Sequence, residues 1–504
     1  MFQKNNLADL KSGIVVFLVA LPLCLGIALA CGVPLFSGII SGVIGGILVT
    51  MFSGSKYSVS GPAAGLTAIV IAAIAQFNSF EVFLAATIFA GIFQIIFSII
   101  KAGGIANYIP NAVIKGMLAG IGIILIIKQI PHLFGYDKDP EGDEEFFQPD
   151  GENSFTELFH MIDYVTMGAI VIGLVSFFIL IIAEKPFYKK IKVLAAIPAP
   201  LFVVIIGILL TILFQSIPFL TIGSEHLVNL PTIANFSDLK NNLLFPDFSQ
   251  INTSQFWIVV TTLSAVASIE TLLGIEAIDK LDPDKNESNN NKELLAQGIG
   301  NIACGFIGGL PVTSVIVRSS ANINSGAKSK VSIILHATLL LISVLFLPQL
   351  LALIPNASLA AILIMTGFKL TKLAIFKQQW SFGKQQFIPF IVTIIMMLVT
   401  DLLKGVSVGV AVAIAFIIRD NIKFSFESVK DVLEGKNFYL IKLPQQVTFF
   451  NKGYLLKFFK TVTPHSKVMI DISINKSINR DAQDVIDDFM EQASKKNIEI
   501  EFVK

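Results

Sequence analysis

Apolar runs long enough to cross about 30 Å of hydrocarbon recur along most of the chain, and nothing constrains its fold more. A helix needs about 20 such residues to span a bilayer. On that criterion, with allowance for short or broken segments, some fourteen crossings fall near 12–31, 35–52, 60–77, 81–100, 110–131, 162–184, 194–215, 256–276, 294–308, 312–325, 331–347, 357–370, 386–402 and 405–419. Charge supports the reading, because only 14% of the 504 residues are charged against about 25% in a soluble domain. The expectation is an all-α polytopic membrane protein.

Lysine placement orients it. With the N-terminus inside, the inner turns carry Lys56, Lys101, the run Lys185, Lys189, Lys190 and Lys192, then Lys280, Lys285, Lys292, Lys328, Lys330, Lys369, Lys372, Lys377 and Lys384. The outer connections are poor in lysine: "GYDKDPEGDEEFFQPDGENS" is acidic, and 216–255 holds only Lys240. This obeys the positive-inside rule. An even number of spans returns the C-terminus to the same side, so both termini are expected on the cytoplasmic face of a bacterial-type inner membrane. The opening "MFQKNNLADLK" leads into an apolar stretch too long for a secretory signal peptide. Cys24, Cys31 and Cys304 sit inside apolar segments and read as packed thiols rather than a disulfide framework. Net charge +1 implies no nucleic-acid partner.

From about Lys423 the chain changes character. "NFYLIKL" alternates like a strand, "KVMIDISI" reads as a buried strand, and "IEIEFVK" alternates again. Between the last two, "RDAQDVIDDFMEQASKKN" places Val485, Ile486, Phe489 and Ala493 on one helical face. The expected division is a membrane domain over 1–422 and a small cytosolic α/β domain over 423–504, of strand–helix–strand–helix–strand type.

Two membrane segments are broken in the same way. "YSVSGPAAGLTAIV" and "GGLPVTSVIVRSS" each open with small residues and a proline, Pro62 or Pro311, ahead of a helical run. They are third in a first set of seven spans and third in a second set, and seven is odd, so the two sets have inverted topology. That is the pattern of a transporter whose site lies at discontinuous helices near the midplane. Proline at a helix start needs no N–H partner there. A helix starting at that depth turns unpaired N–H groups and its positive end toward a ligand, which suits an anion. Gly61, Pro62 and Pro311 are therefore the expected helix breaks; Ala63, Ala64, Thr313 and Ser314 are small enough to let a ligand approach. Two merely Pro-kinked, closely packed helices are the alternative.

Ionisable residues at membrane depth add to this, because each is costly unless paired or hydrated. Glu270 lies mid-segment in the eighth span and is the candidate for a proton or coupling ion; Arg318 in the tenth would add positive potential at the anion site. A structural Glu270–Arg318 pair is the competing reading. Lys115 and Lys128 stand toward opposite ends of the fifth span and can snorkel. The five histidines show no metal-ligand spacing, His336 reads as a helix-packing residue, and no cofactor or metal is expected. The acidic stretch 137–152 reads as a solvated loop.

At these residues the chain resembles the SulP anion transporters, the family of bacterial sulfate and bicarbonate permeases and the animal anion exchangers with prestin. The likeness rests on "VALPLCLGIALACGVP", "VSGPAAGLTAIV", "IETLLGIEAIDK", "ELLAQGIGNIACGFIGGLP" and "VRSSANINSGAKSKVS", spread from about Gly13 to Arg419, with a tail that looks like a shortened STAS domain. The resemblance implies seven plus seven inverted spans, a core domain moving against a gate domain like an elevator, an anion held between the third and tenth helices, and a homodimer. Glu270, Arg318 and Ala63 match the family's acidic, arginine and post-"SGP" positions. Sodium-using bicarbonate members have Asp, Thr and Thr where this chain has Glu270, Gly274 and Ala63, which counts against a sodium site. Leu23 replaces a glutamine common in the family, and "SINRDAQ" lacks the Asp-Ser pair linked to phosphorylation control.

The function expected is therefore secondary active transport of sulfate or bicarbonate, with a proton through Glu270 as the candidate coupling. A dicarboxylate or nucleobase carrier on the same architecture and a passive anion channel are the alternatives. No nucleophile–base pair or metal set suggests an enzyme.

Overall fold

In the computed structural model each long apolar run closes its own backbone hydrogen bonds as a helix, as a bilayer interior demands. The structure describes residues 2–137, 154–185, 197–228, 243–424, 426–433 and 436–503. Most of the acidic stretch, Lys189, Lys190, Lys192, Lys240 and the start of the seventh expected span lie outside these residues.

The membrane helices run in chain order as α1 (Phe2–Ala30), α2 (Leu35–Ile44), α3 (Thr67–Phe77), α4 (Phe80–Ile99), α5 (Asn111–Phe134), α6 (Met167–Glu184), α7 (Ala199–Phe214), α8 (Ser254–Leu281), α9 (Asn290–Ile307), α10 (Ile316–Asn324), α11 (Val331–Phe346), α12 (Asn356–Leu370), α13 (Lys384–Val399) and α14 (Leu402–Phe424). α2 continues to Phe52 through a π-helical stretch, Gly45–Val49. Among the described residues, eight helices are long and apolar enough to cross a membrane, and four further apolar ones are shorter.

Packing repeats with an offset of seven. α4 lies on α9 as α2 lies on α11, and α4 meets α8 as α1 meets α11, while α5 pairs with its own counterpart α12. These are the contacts of two inverted repeats. They sort the helices into a core set, α1–α4 with α8–α11, and a gate set, α5–α7 with α12 and α13. Glycines bring the key pairs close: a Cβ at Gly91 would stand 2.6 Å from the Gly298 carbonyl oxygen, and one at Gly122 would stand 2.7 Å from that of Gly367.

The third and tenth segments differ from expectation. Pro62 does not open a helix. Ser60–Pro62 forms strand β1, which pairs antiparallel with β2 (Val312–Ser314), Gly61 opposite Thr313. Ala63 stays extended, a 3₁₀ turn covers Ala64–Leu66, and α3 begins at Thr67; in the tenth segment Val315 is extended before α10. Two interrupted segments that cross inside the protein can satisfy each other's backbone, and pairing does so better than two bare helix ends. Proline is tolerated in so short an edge strand because it removes no needed donor there.

Side chains from α9 clamp the crossing. Asn301 accepts from Val312 N at 2.6 Å and donates to Val312 O at 3.1 Å and to Gln94 Oε1 at 2.7 Å. Gln297 donates to Ser60 Oγ at 2.7 Å, and the Ser58 and Ser314 hydroxyls lie 2.7 Å apart. Gly45 of the π-helical stretch packs on β1 so tightly that a Cβ would stand 2.3 Å from Ser60 O.

At the far end of α5, Asp137 is a buried junction rather than part of a solvated loop. Its carboxylate oxygens lie 2.7 Å from His132 Nδ1 and 2.6 Å from His226 Nδ1, and Asn356 Nδ2 donates to it at 3.2 Å; His226 Nε2 is 3.1 Å from Thr166 Oγ1. α5, the start of α6 and the start of α12 are thereby tied together. Burial alone would raise the Asp137 carboxyl, but the hydrogen bonds and charge of His132 and His226 outweigh it and hold it below the usual range. The bond to Asp137 raises His226 above the usual imidazole value, against burial and with help from Glu225. A depressed carboxyl loses its contribution as pH falls through the folded pKa, and a raised histidine loses its own as pH rises through the folded pKa. The junction should therefore stabilise most between those two values. Thermal midpoints in detergent across pH are expected to rise and then fall, and Asp137→Asn to flatten both limbs; superimposable curves would contradict this. Nearby, Lys128 does not snorkel: it is buried with Glu157, 3.7 Å from its carboxylate.

The contacts divide the chain into two compact units, Met1–Gly409 and Val410–Lys504. In the second, β3 (Glu427–Leu433), β4 (Lys436–Lys442), β5 (Gln446–Val447), α15 (Lys452–Thr461), β6 (Lys467–Asp471), β7 (Ser477–Ile478), α16 (Arg480–Lys495) and β8 (Glu499–Val503) follow in order. The main sheet is ordered β3-β4-β6-β8, with β3 antiparallel and the rest parallel. Val485, Ile486, Phe489 and Ala493 of α16 are buried against it, as the periodicity requires. The strand–helix–strand–helix–strand order holds, with β3 added ahead of it, and fits a STAS-type domain.

Candidate functional site

A cavity of about 260 Å³ lies where the broken segments meet. Ala63, Ala64, Glu270, Thr313, Ser314 and Arg318 all line it; Gly61, Pro62 and Pro311 do not. Gly61 and Pro62 instead build β1, and Pro311 leads into β2.

The helix starts at this cavity carry no side-chain cap, as is also true of α2, α5–α7 and α11–α13. α4, α8 and α9 carry side-chain caps from Ser79, Thr253 and Asn289. The 3₁₀ turn that opens into α3 and the start of α10 have Ala63 and Val315 in the capping position, and neither supplies a side-chain hydrogen bond. The first-turn N–H groups of α10 therefore have no side-chain acceptor, and Ile316, Val317 and Arg318 line the cavity. The Val315 N–H is spent on Val59 O at 3.0 Å, which fixes α10 to the strand crossing.

The two starts are not electrostatically equivalent. At α3, the Glu270 carboxylate lies on Gly65, where a Cβ would stand 1.9 Å from Oε1. At α10, Arg318 is 0% exposed, and among the described residues its three guanidinium nitrogens find no hydrogen-bond partner. A hydrogen-bonded Glu270–Arg318 pair is thus not formed. Arg318 rests against Gly61, whose absent Cβ would be 2.2 Å from Nη1. Gly61 lies outside the cavity lining, so Arg318 acts on the cavity through its field, added to that of the helix start, rather than by direct contact.

Gly274 has its own constraint. A Cβ there would stand 2.6 Å from Ser314 O, so α8 packs directly on β2 and a hydroxyl side chain has no room. His336 bonds to Ile333 O within α11, as a packing residue would. Among the described residues no group of histidine, cysteine, aspartate and glutamate side chains could hold a metal.

Sequence reasoning missed the gate side of the cavity. Ile121 and Ile124 of α5, Met397 of α13 and the turn Asp401–Lys404 complete the wall. It also missed Gln297 and Asn301, whose i,i+4 spacing put two amides on one face of a membrane helix and could have flagged them.

The profile of the sulfate permease family matches residues 7–393. The putative sulfate transporter YvdB of Bacillus subtilis is 28% identical over 418 residues, 83% of this chain and 74% of that protein. The bicarbonate transporter BicA of Picosynechococcus sp. is 28% identical over 442 residues, 86% of this chain and 74% of that protein. Among solved structures, the transmembrane domain of a cyanobacterium bicarbonate transporter BicA aligns with TM-score 0.57 and 24% identity, over 81% of this chain and 97% of that one. The murine Solute Carrier 26 family member A9 anion transporter in its inward-facing state aligns with TM-score 0.68 and 16% identity, over 98% of this chain and 85% of that one. At these identities the solved structures share the fold.

Proposed function

Because the chain belongs to the sulfate permease family, we propose that it is a secondary active transporter of a small inorganic anion, sulfate or bicarbonate. Members of the family are transporters, and this is a membrane transport protein rather than an enzyme. The observation that carries the reading is the convergence of the turn into α3, the uncapped start of α10 and Arg318 on one cavity. An anion there gains the backbone N–H groups of the α10 start and the attraction of the Arg318 charge behind them. Ala63, Ala64, Thr313 and Ser314 bound the same space from the crossing.

Movement of the core set against the gate set, elevator-like, would carry the strand crossing and its anion together, since both half-helices belong to the core. Glu270 sits in the same set and faces the same cavity, so protonating it removes a negative charge beside the bound anion. That favours a proton as the coupled ion. Sodium is disfavoured by the missing hydroxyls at Ala63 and Gly274, the latter closed by Ser314. The lysine pattern supports both termini on the cytoplasmic side of an inner membrane, and the family resemblance supports a homodimer.

Uptake of labelled sulfate and bicarbonate into proteoliposomes tests this. Saturable uptake of at least one anion, raised by an inward proton gradient, is the expected result. One pH unit is worth about 1.4 kcal/mol, or about tenfold accumulation for one-to-one coupling. Glu270→Gln should lose that stimulation and retain exchange of anion for anion. No uptake of either anion under any ion gradient would end the proposal; full stimulation in Glu270→Gln would remove the proton role alone.

A further inference from the structure

The cavity has a charged wall opposite the half-helices. α13 runs along α5, with Gly116 against Phe390 and Thr393 and Gly120 against Met397, which brings the α13–α14 turn level with Ile124. At 1.5 Å per residue that turn stops about 15 Å short of the Phe134 end of α5, so it reverses beside the cavity rather than at a membrane surface. Two charged residues stand there. Lys404 Nζ is 2.7 Å from Asp401 Oδ2, and Asp401 Oδ1 accepts from Lys404 N at 2.8 Å. Asp401 thus caps α14 and holds the Lys404 ammonium at once. Lys404 is the more exposed of the pair, 72% against 32%. Charges at such depth are expensive unless they face water or a transported ion, and an exposed pair of this spacing adds little to stability.

We propose that Lys404 is a specificity-determining cation of the transport pathway, weighting it toward anions of higher charge, with Asp401 as a built-in competitor that keeps Lys404 neutralised until an anion enters. This rests on the reading of the cavity as an anion path. The chemistry is Coulombic: an anion facing Arg318 and the α10 start on one wall meets Lys404 on the other, and its gain scales with its own charge. A divalent oxyanion therefore gains about twice what a monovalent one does. Asp401 is displaced from Nζ without losing its cap, because a separate oxygen serves the Lys404 N–H.

The test is competition against labelled-substrate uptake in proteoliposomes, using sulfate as the divalent and nitrate as the monovalent competitor. Lys404→Gln is expected to weaken sulfate about fivefold to tenfold and nitrate about twofold to threefold. Lys404→Arg should stay near the parent, which separates charge from misfolding. Asp401→Asn keeps a capping side chain and should tighten sulfate. Unchanged inhibition by both anions in Lys404→Gln and Asp401→Asn, in a protein whose parent transports, would overturn the assignment and leave the proposed function standing. A parent chain that takes up no anion would instead overturn the proposed function, and this inference with it.

Discussion

Replacing Arg318 with methionine is expected to weaken anion-dependent stabilisation while making the anion-free protein more stable. The two effects have one cause. Arg318 is wholly buried and its guanidinium nitrogens have no hydrogen-bond partner among the described residues. An uncompensated buried charge costs several kcal/mol, and an apolar side chain of similar length removes that cost. An anion at the cavity loses the attraction of the guanidinium in the variant, about 1.5–3 kcal/mol or roughly 10- to 150-fold in affinity. For the parent, anion at 100 times its Kd should add about 2.7 kcal/mol of stability. Thermal unfolding of purified protein with and without sulfate reads both. A variant with a lower anion-free midpoint and an undiminished sulfate shift would mean that Arg318 is a structural cation and the anion binds elsewhere.

Asn301→Leu should be the most damaging change outside the cavity. One amide satisfies both the N–H and the C=O of Val312 and also holds Gln94. Leucine leaves two backbone groups and a glutamine oxygen unpaired in a dry interior, at about 1–3 kcal/mol each. The loss falls on β2, which positions Thr313, Ser314 and the start of α10. We expect a thermal midpoint lower by several degrees and loss of uptake even where the protein still inserts. Asn301→Gln, which keeps an amide donor and acceptor, should be milder; equal stability of Asn301→Leu and the parent would refute the clamp.

Much of the architecture could be read from periodicity because membrane helices announce themselves locally: each satisfies its own backbone, so length and apolarity suffice. The amphipathic α16 was legible for the same reason, its buried face set by Val485, Ile486, Phe489 and Ala493. The β1–β2 crossing was not. Its two strands are three residues each and some 250 positions apart, and no local pattern in "SGP" or "VTS" reveals a partner. Small residues and proline correctly marked where helix fails, but not what replaces it. The acidic stretch misled by composition: Asp137 belongs by sequence to a solvated loop, and by contact to two histidines that converge from α5 and from beyond α7. No local pattern singles out Asp401 and Lys404 between the last two spans. Only the packing of α13 on α5 puts that turn at the level of the cavity.

The site could be named residue by residue yet not arranged. Ala63, Ala64, Glu270, Thr313, Ser314 and Arg318 do come together around one cavity. Two equivalent helix ends facing one anion was the simpler expectation. Instead a carboxylate lies at the turn into α3 and an arginine at α10.

The most direct check on that arrangement is to locate the anion. Selenate has the shape and charge of sulfate, and its anomalous scattering marks its position in crystals of the protein. The expected result is a peak in the cavity between Ala63–Ala64 and Thr313–Ser314, within hydrogen-bonding reach of the α10 start. A peak elsewhere, or none at concentrations that compete with transport, would contradict the account.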